Sequence, residues 1–151
     1  MADVRFKVTV KDNQQVKFYL KRRRKKALNL VIPLKKAGLL MLRSINRNFE
    51  SSGRPNKWKP LKRSTLLAKV RKGFSPKPLI RSGAMKRSIT FTSNRKRLAI
   101  GTSIVYGAIH QFGGRAGRHL SAKIPKRTYL LFQNQDLEDI EELITDHLLG
   151  D

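Results

Sequence analysis

A chain of 151 residues is the size of one domain with its own hydrophobic core. Its 34 Lys and Arg against 10 Asp and Glu give a formal charge of +24, which suits an anionic partner and binding that weakens with salt. The absence of cysteine excludes disulfides, thiolate metal sites and thiol nucleophiles, and no apolar run reaches the roughly 18 residues of a membrane span. The charge is also divided along the chain. All the Lys and Arg lie in residues 1–132, beside only Asp3, Asp12 and Glu50, and the other carboxylates are confined to residues 133–151. The chain reads as a single domain, a basic body over 1–132 with an acidic C-terminal helix at about 134–149. Nothing in the first residues resembles the apolar region of a signal peptide, so synthesis in the cytosol is expected.

Residues 4–10, Val-Arg-Phe-Lys-Val-Thr-Val, alternate apolar and polar and predict a strand with one face on a core. Lys11-Asp12-Asn13 is a turn, and residues 14–29 continue as a helix carrying Val16, Tyr19, Leu20, Ala27 and Leu28. Its middle is the run Lys21, Arg22, Arg23, Arg24, Lys25, Lys26, which wraps all sides of a helix rather than forming one stripe. These cations are candidates for contact with DNA or an acidic partner. A membrane-surface helix fits less well, because the adjoining apolar face is short. Pro33 breaks the segment or sits in the first turn of a new helix. Beyond it Leu34, Gly38, Met41, Leu42, Ile45 and Phe49 recur at three and four, predicting a long amphipathic helix to about residue 51. Gly38 falls on its apolar stripe, where a missing side chain admits a close neighbour.

Residues 51–63 form a loop punctuated by Gly53, Pro55 and Pro60, with Trp58 expected to pin it to the core rather than to stack on a base. Residues 64–72 predict a short helix ended by Gly73, and residues 82–88 a single capped turn. Residues 89–93 and the pair Leu98 and Ile100 alternate on either side of an Asn94-Arg95-Lys96 turn, an antiparallel hairpin. Near Gly101 and Thr102 the apolar period changes from two to about 3.6, through Val105, Ile109 and Phe112, so a short helix should follow, with Ser103 as N-cap and Gly113 as its stop. Residues 115–123 are basic and without period and read as a mobile loop whose Arg115, Arg118 and Lys123 are further candidates for DNA or partner contact. Residues 124–132 are rich in aromatic and aliphatic side chains and read as a late strand. The last helix begins near Asn134 or Asp136, with acidic side chains in its first turn where the macrodipole favours them and Leu137, Ile140, Ile144 and Leu148 as its apolar stripe. The fold class is α+β: a small antiparallel sheet of N-terminal strand, central hairpin and late strand, packed against the long helix, with the acidic helix at the end.

Between Glu50 and Asp136 there is no Asp or Glu at all, so the central body cannot build paired carboxylates for acid–base work or a magnesium cluster. His110, His119 and His147 lie far apart and match no metal-ligand spacing, and Gly113-Gly114 followed by Gly117 lacks the strand-before, helix-after setting of a nucleotide loop. No enzyme, cofactor, metal or small-molecule substrate is indicated. A structural role for His110 outweighs a histidine-dependent hydrolase.

Taken in order, residues 49–61 (Phe-Glu-Ser-Ser-Gly-Arg-Pro-Asn-Lys-Trp-Lys-Pro-Leu), Thr65 and Lys69, residues 79–89 (Leu-Ile-Arg-Ser-Gly-Ala-Met-Lys-Arg-Ser-Ile), Ile100-Gly101-Thr102 and residues 106–114 (Tyr-Gly-Ala-Ile-His-Gln-Phe-Gly-Gly) resemble the phage virion morphogenesis family. This is also called the tail completion protein family of contractile-tailed bacteriophages. The resemblance spans residues 34–149. Where the family usually shows a small residue after a proline and a Pro-Phe pair after an arginine, this chain has Pro125-Lys126-Arg127-Thr128-Tyr129, a departure that falls at the entry to the late strand. What the resemblance implies is a non-enzymatic α+β subunit of the virion, at the neck or head-proximal tail end, made in the host cytoplasm. It would assemble as a ring, a homohexamer by the sixfold symmetry of tails, and act in tail completion and head–tail joining. The implied neighbours are tail-tube, tail-terminator or head-connector proteins, with genomic DNA in the lumen and no membrane. Trp58, Pro60, Gly83, Gly101, Tyr106, His110, Gln111, Gly113 and Gly114 are the motif positions expected to be structural. A ring of such basic subunits must offset its own repulsion. Asp136, Glu138, Asp139, Glu141 and Glu142 of the acidic helix are therefore expected to dock on basic surface, either their own subunit's or the next one's. The rival reading is a free-standing basic nucleic-acid-binding protein, against which stand the few aromatics and the lack of a recognition motif.

Overall fold

The computed structural model describes residues 14–150, and the strand expected over residues 4–10 lies outside them. The fold is α+β, with two antiparallel hairpins set among six helices in the described residues. Helix α1 (Gln14–Ala27) and helix α2 (Val31–Glu50) are separate, and Pro33 sits in the first turn of α2, where its missing N–H costs nothing. Along α2 the buried positions Pro33, Ala37, Met41, Ile45 and Phe49 recur every four residues, the spacing that puts them on one face. That face is the spine of the molecule. Against it lie helix α6 (Asn134–Leu149) and the hairpin of β1 (Ile89–Ser93) and β2 (Leu98–Thr102), which pairs Phe91 with Ile100. Gly38 makes the hairpin's approach possible: a Cβ there would stand 2.4 Å from the Phe91 ring.

The apolar core comprises Ile45, Phe49, Trp58, Met85, Ile89 and Tyr129, each burial contributing about 1.5–3 kcal/mol. Phe49 meets Trp58 edge-on and Tyr129 at a tilt, both at 5.6 Å between centroids. Trp58 anchors its loop by donating its indole N–H to the Thr128 carbonyl at 3.0 Å. Short helices α3 (Arg63–Arg71) and α4 (Ala84–Arg87) flank this core, with Gly83 at φ 78° opening α4.

Three expectations change. The late strand over residues 124–132 is not one: β4 stops at Ile124, and among the described residues no strand pairs with the segment that follows. The side chains of Gln111, Asn48 and Trp58 take most of its backbone groups instead. The unpatterned loop over 115–123 is instead a two-stranded arm, β3 (Gly114–Ala116) paired with β4 (Ala122–Ile124) around a kinked turn at Arg118–Leu120 in which His119 (φ 55°) and Leu120 (φ 54°) take left-handed backbone. Helix α5 is shorter than the apolar spacing suggested. It runs Gly107–Phe112, with Tyr106 rather than Ser103 at its start, because the Ile104 N–H is taken by the Thr102 hydroxyl in a tight turn. Val105 and Phe112, which carried the helical period, point into solvent at 96% and 74% exposure. Gly113 does end α5, at φ 79°, its N–H bonded to the Ile109 carbonyl.

Candidate functional site

Several of the motif residues converge on residues 127–131 and hold them as a strand neighbour would. The Gln111 side chain accepts the N–H groups of Tyr129 (3.0 Å) and Leu130 (3.1 Å) and donates to the Leu130 carbonyl (3.0 Å). From the opposite side Asn48 of α2 donates to the carbonyls of Tyr129 (3.0 Å) and Leu131 (3.2 Å). The His110 carbonyl accepts the Arg127 N–H at 2.8 Å. Buried Arg127 returns the grip, its guanidinium donating to the carbonyls of Lys59 (3.0 Å) and Pro60 (3.3 Å). Trp58, Pro60, His110 and Gln111 thus act through one extended segment. Gly101 in β2 does not join them, and no atom lies within 4 Å of where its Cβ would be.

A second polar cluster ties α6 to α2. The Arg54 guanidinium bonds the Asn48 amide oxygen (2.9 Å) and both the carbonyl and hydroxyl of Ser44 (2.8 Å each). The Ser44 hydroxyl donates to Asp136, which is 2% exposed, also accepts the Gln133 N–H at 2.9 Å and lies 3.8 Å from Arg47. Asp136 therefore belongs to its own subunit's interior, not to an inter-subunit face. Sequence reading missed this cluster. Its signal was available in Ser44 and Asn48, two polar residues four apart on the apolar stripe of α2.

Between α3 and α4 opens a groove of about 560 Å³ edged by Lys69, Lys72, Arg81, Arg127, His110 and Tyr106, with no carboxylate in its lining. Burial pushes the Lys69 ammonium below the ordinary lysine value, and nearby Arg127 and Arg81 push it further. Burial, and then Arg127, likewise lowers His110, whose imidazole is therefore neutral at pH 7. Its Nδ1 has no hydrogen-bond partner among the described residues, and its ring meets that of Tyr106 edge-on at 6.0 Å. Such a concavity attracts anions, and it lacks a carboxylate to orient His110 as a base.

The cationic run of α1 divides in two. Arg23 and Lys26 turn inward to cap the end of α6, Arg23 donating to the carbonyls of Leu148 and Leu149 and Lys26 to that of Gly150. Cations suit a helix C-terminus, where carbonyls are unpaired and the dipole is negative. Lys21, Arg22, Arg24 and Lys25 face solvent. Arg115, Arg118 and Lys123 are exposed along the arm, and Glu138, Glu141 and Glu142 are exposed on α6. Asp139 is half-buried and holds the Gln135 amide at 3.0 Å. Among the described residues no cluster of His, Asp and Glu is placed to hold a metal ion, and no helix is long and apolar enough to cross a membrane.

Residues 11–149 match the phage virion morphogenesis family. Mu-like prophage FluMu G protein 2 of Haemophilus influenzae is 40% identical over 104 residues, 69% of this chain and 67% of that protein. No solved structure matches.

Proposed function

The chain belongs to the phage virion morphogenesis family, and from that premise we propose that it completes the tail of a contractile-tailed phage and joins it to the head. It works as a structural ring subunit at the neck or head-proximal tail end, built as a homohexamer. Its neighbours are tail-tube, terminator or connector proteins, and DNA passes through its lumen. One observation carries this reading: Trp58, Pro60, His110 and Gln111 hold the fold together instead of gathering around a reactive centre. The chemistry left for the outside is charge and exposed apolar surface, which is the chemistry of assembly.

The bare cations of α1 favour a second reading, a monomeric nucleic-acid-binding protein. Negative-stain images of the purified protein, alone and mixed with tails, separate the two. Rings, or caps on tail ends, support the structural role; a monomer that binds DNA and never decorates tails overturns it. Changing Lys21, Arg22, Arg24 and Lys25 to Glu should abolish head–tail joining while leaving the subunit folded. Arg23 and Lys26 stay native in that variant because they cap α6.

A further inference from the structure

The β3–β4 arm and the outer face of α6 are each incomplete in the subunit, in opposite senses. Along the arm Arg115 stands directly across from Lys123, with Arg118 at the tip. Like charges opposed across a ribbon destabilise it, and a two-stranded hairpin is marginal by itself in water. No residue of β3, β4 or the turn between them is buried. The nearest carboxylates in sequence are far off, since residues 51–135 contain none. On α6 Glu138 and Glu142 stand one turn apart with Glu141 beside them, all exposed. The ion pairs among the described residues, Arg47 with Asp136 and Lys86 with Glu50, include none of these groups. In a subunit of +24 a bare acidic stripe is as unexpected as a like-charged ribbon.

Both surfaces also carry uncovered apolar side chains at their ends. Phe112 lies at the root of the arm and Leu120 at its tip, while Leu137 and Leu149 bracket the acidic stripe. DNA laid along the arm would answer the cations alone and would repel the stripe. A second copy answers both at once, and the same contact is head to tail, the kind that builds a ring when its rotation closes.

We propose that the β3–β4 arm of one copy lies across the outer face of α6 in the next, with Arg115, Arg118 and Lys123 meeting Glu138, Glu141 and Glu142. The contact rests on the ring reading above and supplies its subunit joint. It also accounts for the ribbon, whose opposed cations become favourable once carboxylates lie over them.

Two full-length variants test it: one with Arg115→Glu and Lys123→Glu, the other with Glu138→Lys and Glu142→Lys. All four side chains are exposed, so circular dichroism should match the parent in both. In sedimentation velocity at low salt each variant alone should associate at least about tenfold more weakly than the parent. An equimolar mixture, which can alternate arm and stripe of matched charge, should regain rings. If the parent forms rings and both variants form them equally well, the proposal fails while the ring reading stands. Loss of rings without recovery in the mixture also overturns it, as does a variant that loses only DNA retention. A parent that stays monomeric alone and on tails overturns the ring reading and this contact with it.

Discussion

Two extended stretches only a few residues apart, the arm over residues 114–124 and the segment over residues 127–131, are held by opposite means. Among the described residues no strand pairs with the segment, yet its backbone groups are taken by Gln111, Asn48 and Trp58, and Tyr129 within it is 1% exposed. The arm has a regular ladder and nothing buried. Pairing is therefore a poor guide to what fixes this molecule. Side-chain amides from distant elements make residues 127–131 part of the interior, whereas the ladder of the arm presents cations outward.

Substitutions should separate the two stretches by size of effect. Phe49→Ala removes the ring between Trp58 and Tyr129 and should cost about 4 kcal/mol. That corresponds to a fall of about 10 °C in melting temperature by calorimetry. A loss under about 1 kcal/mol would mean that the segment is not anchored through this core. Asn48→Ala strands two buried carbonyls and one Arg54 N–H, and about 2–3 kcal/mol should be lost in urea unfolding. The arm should respond in the other direction. Lys123→Glu sets a carboxylate across from Arg115, a gain of about 0.2–1 kcal/mol within the ribbon, so amide exchange over residues 114–124 of the dissociated subunit should slow while ring formation weakens. Faster exchange would erase the contrast.

The smallest effect is one of pH. In the folded protein His110 holds its neutral form to lower pH than the ordinary histidine value of 6.5, because burial and then Arg127 oppose its charge. The unfolded chain then takes up a proton first as pH falls through that value, so stability declines with acidification. His110→Gln should flatten the fall that sets in as pH drops through the ordinary histidine value, followed by thermal unfolding. An unchanged slope would show that the imidazole does not feel its surroundings.

The sequence made α2, α6 and the β1–β2 hairpin legible because each declares itself within a few residues, through period and end signals. Tyr129, Leu130, Leu131 and Phe132 read as a strand because composition registers apolar character and not the identity of a hydrogen-bond partner. Those partners, Asn48 and Gln111, sit about eighty and twenty positions away along the chain. The arm was hidden for the opposite reason, since three-residue strands of mixed polarity show no alternation. Asp136 looked like one more surface acid because its burial depends on Ser44, 92 residues distant. Of the charged candidates, the sequence could not tell that Arg23 and Lys26 are turned to the end of α6 while their four neighbours are not. The resemblance, in contrast, singled out Trp58, Pro60, His110 and Gln111 before any geometry.

The seat of Phe91 on Gly38 also bears on how the chain can vary. With 2.4 Å between the ring and the place a Cβ would take, neither position can drift alone. Alanine at 38 calls for a smaller residue at 91, and a smaller residue at 91 leaves a void that alanine would fill. Across descendants of this subunit the two sites should be inherited as a matched pair.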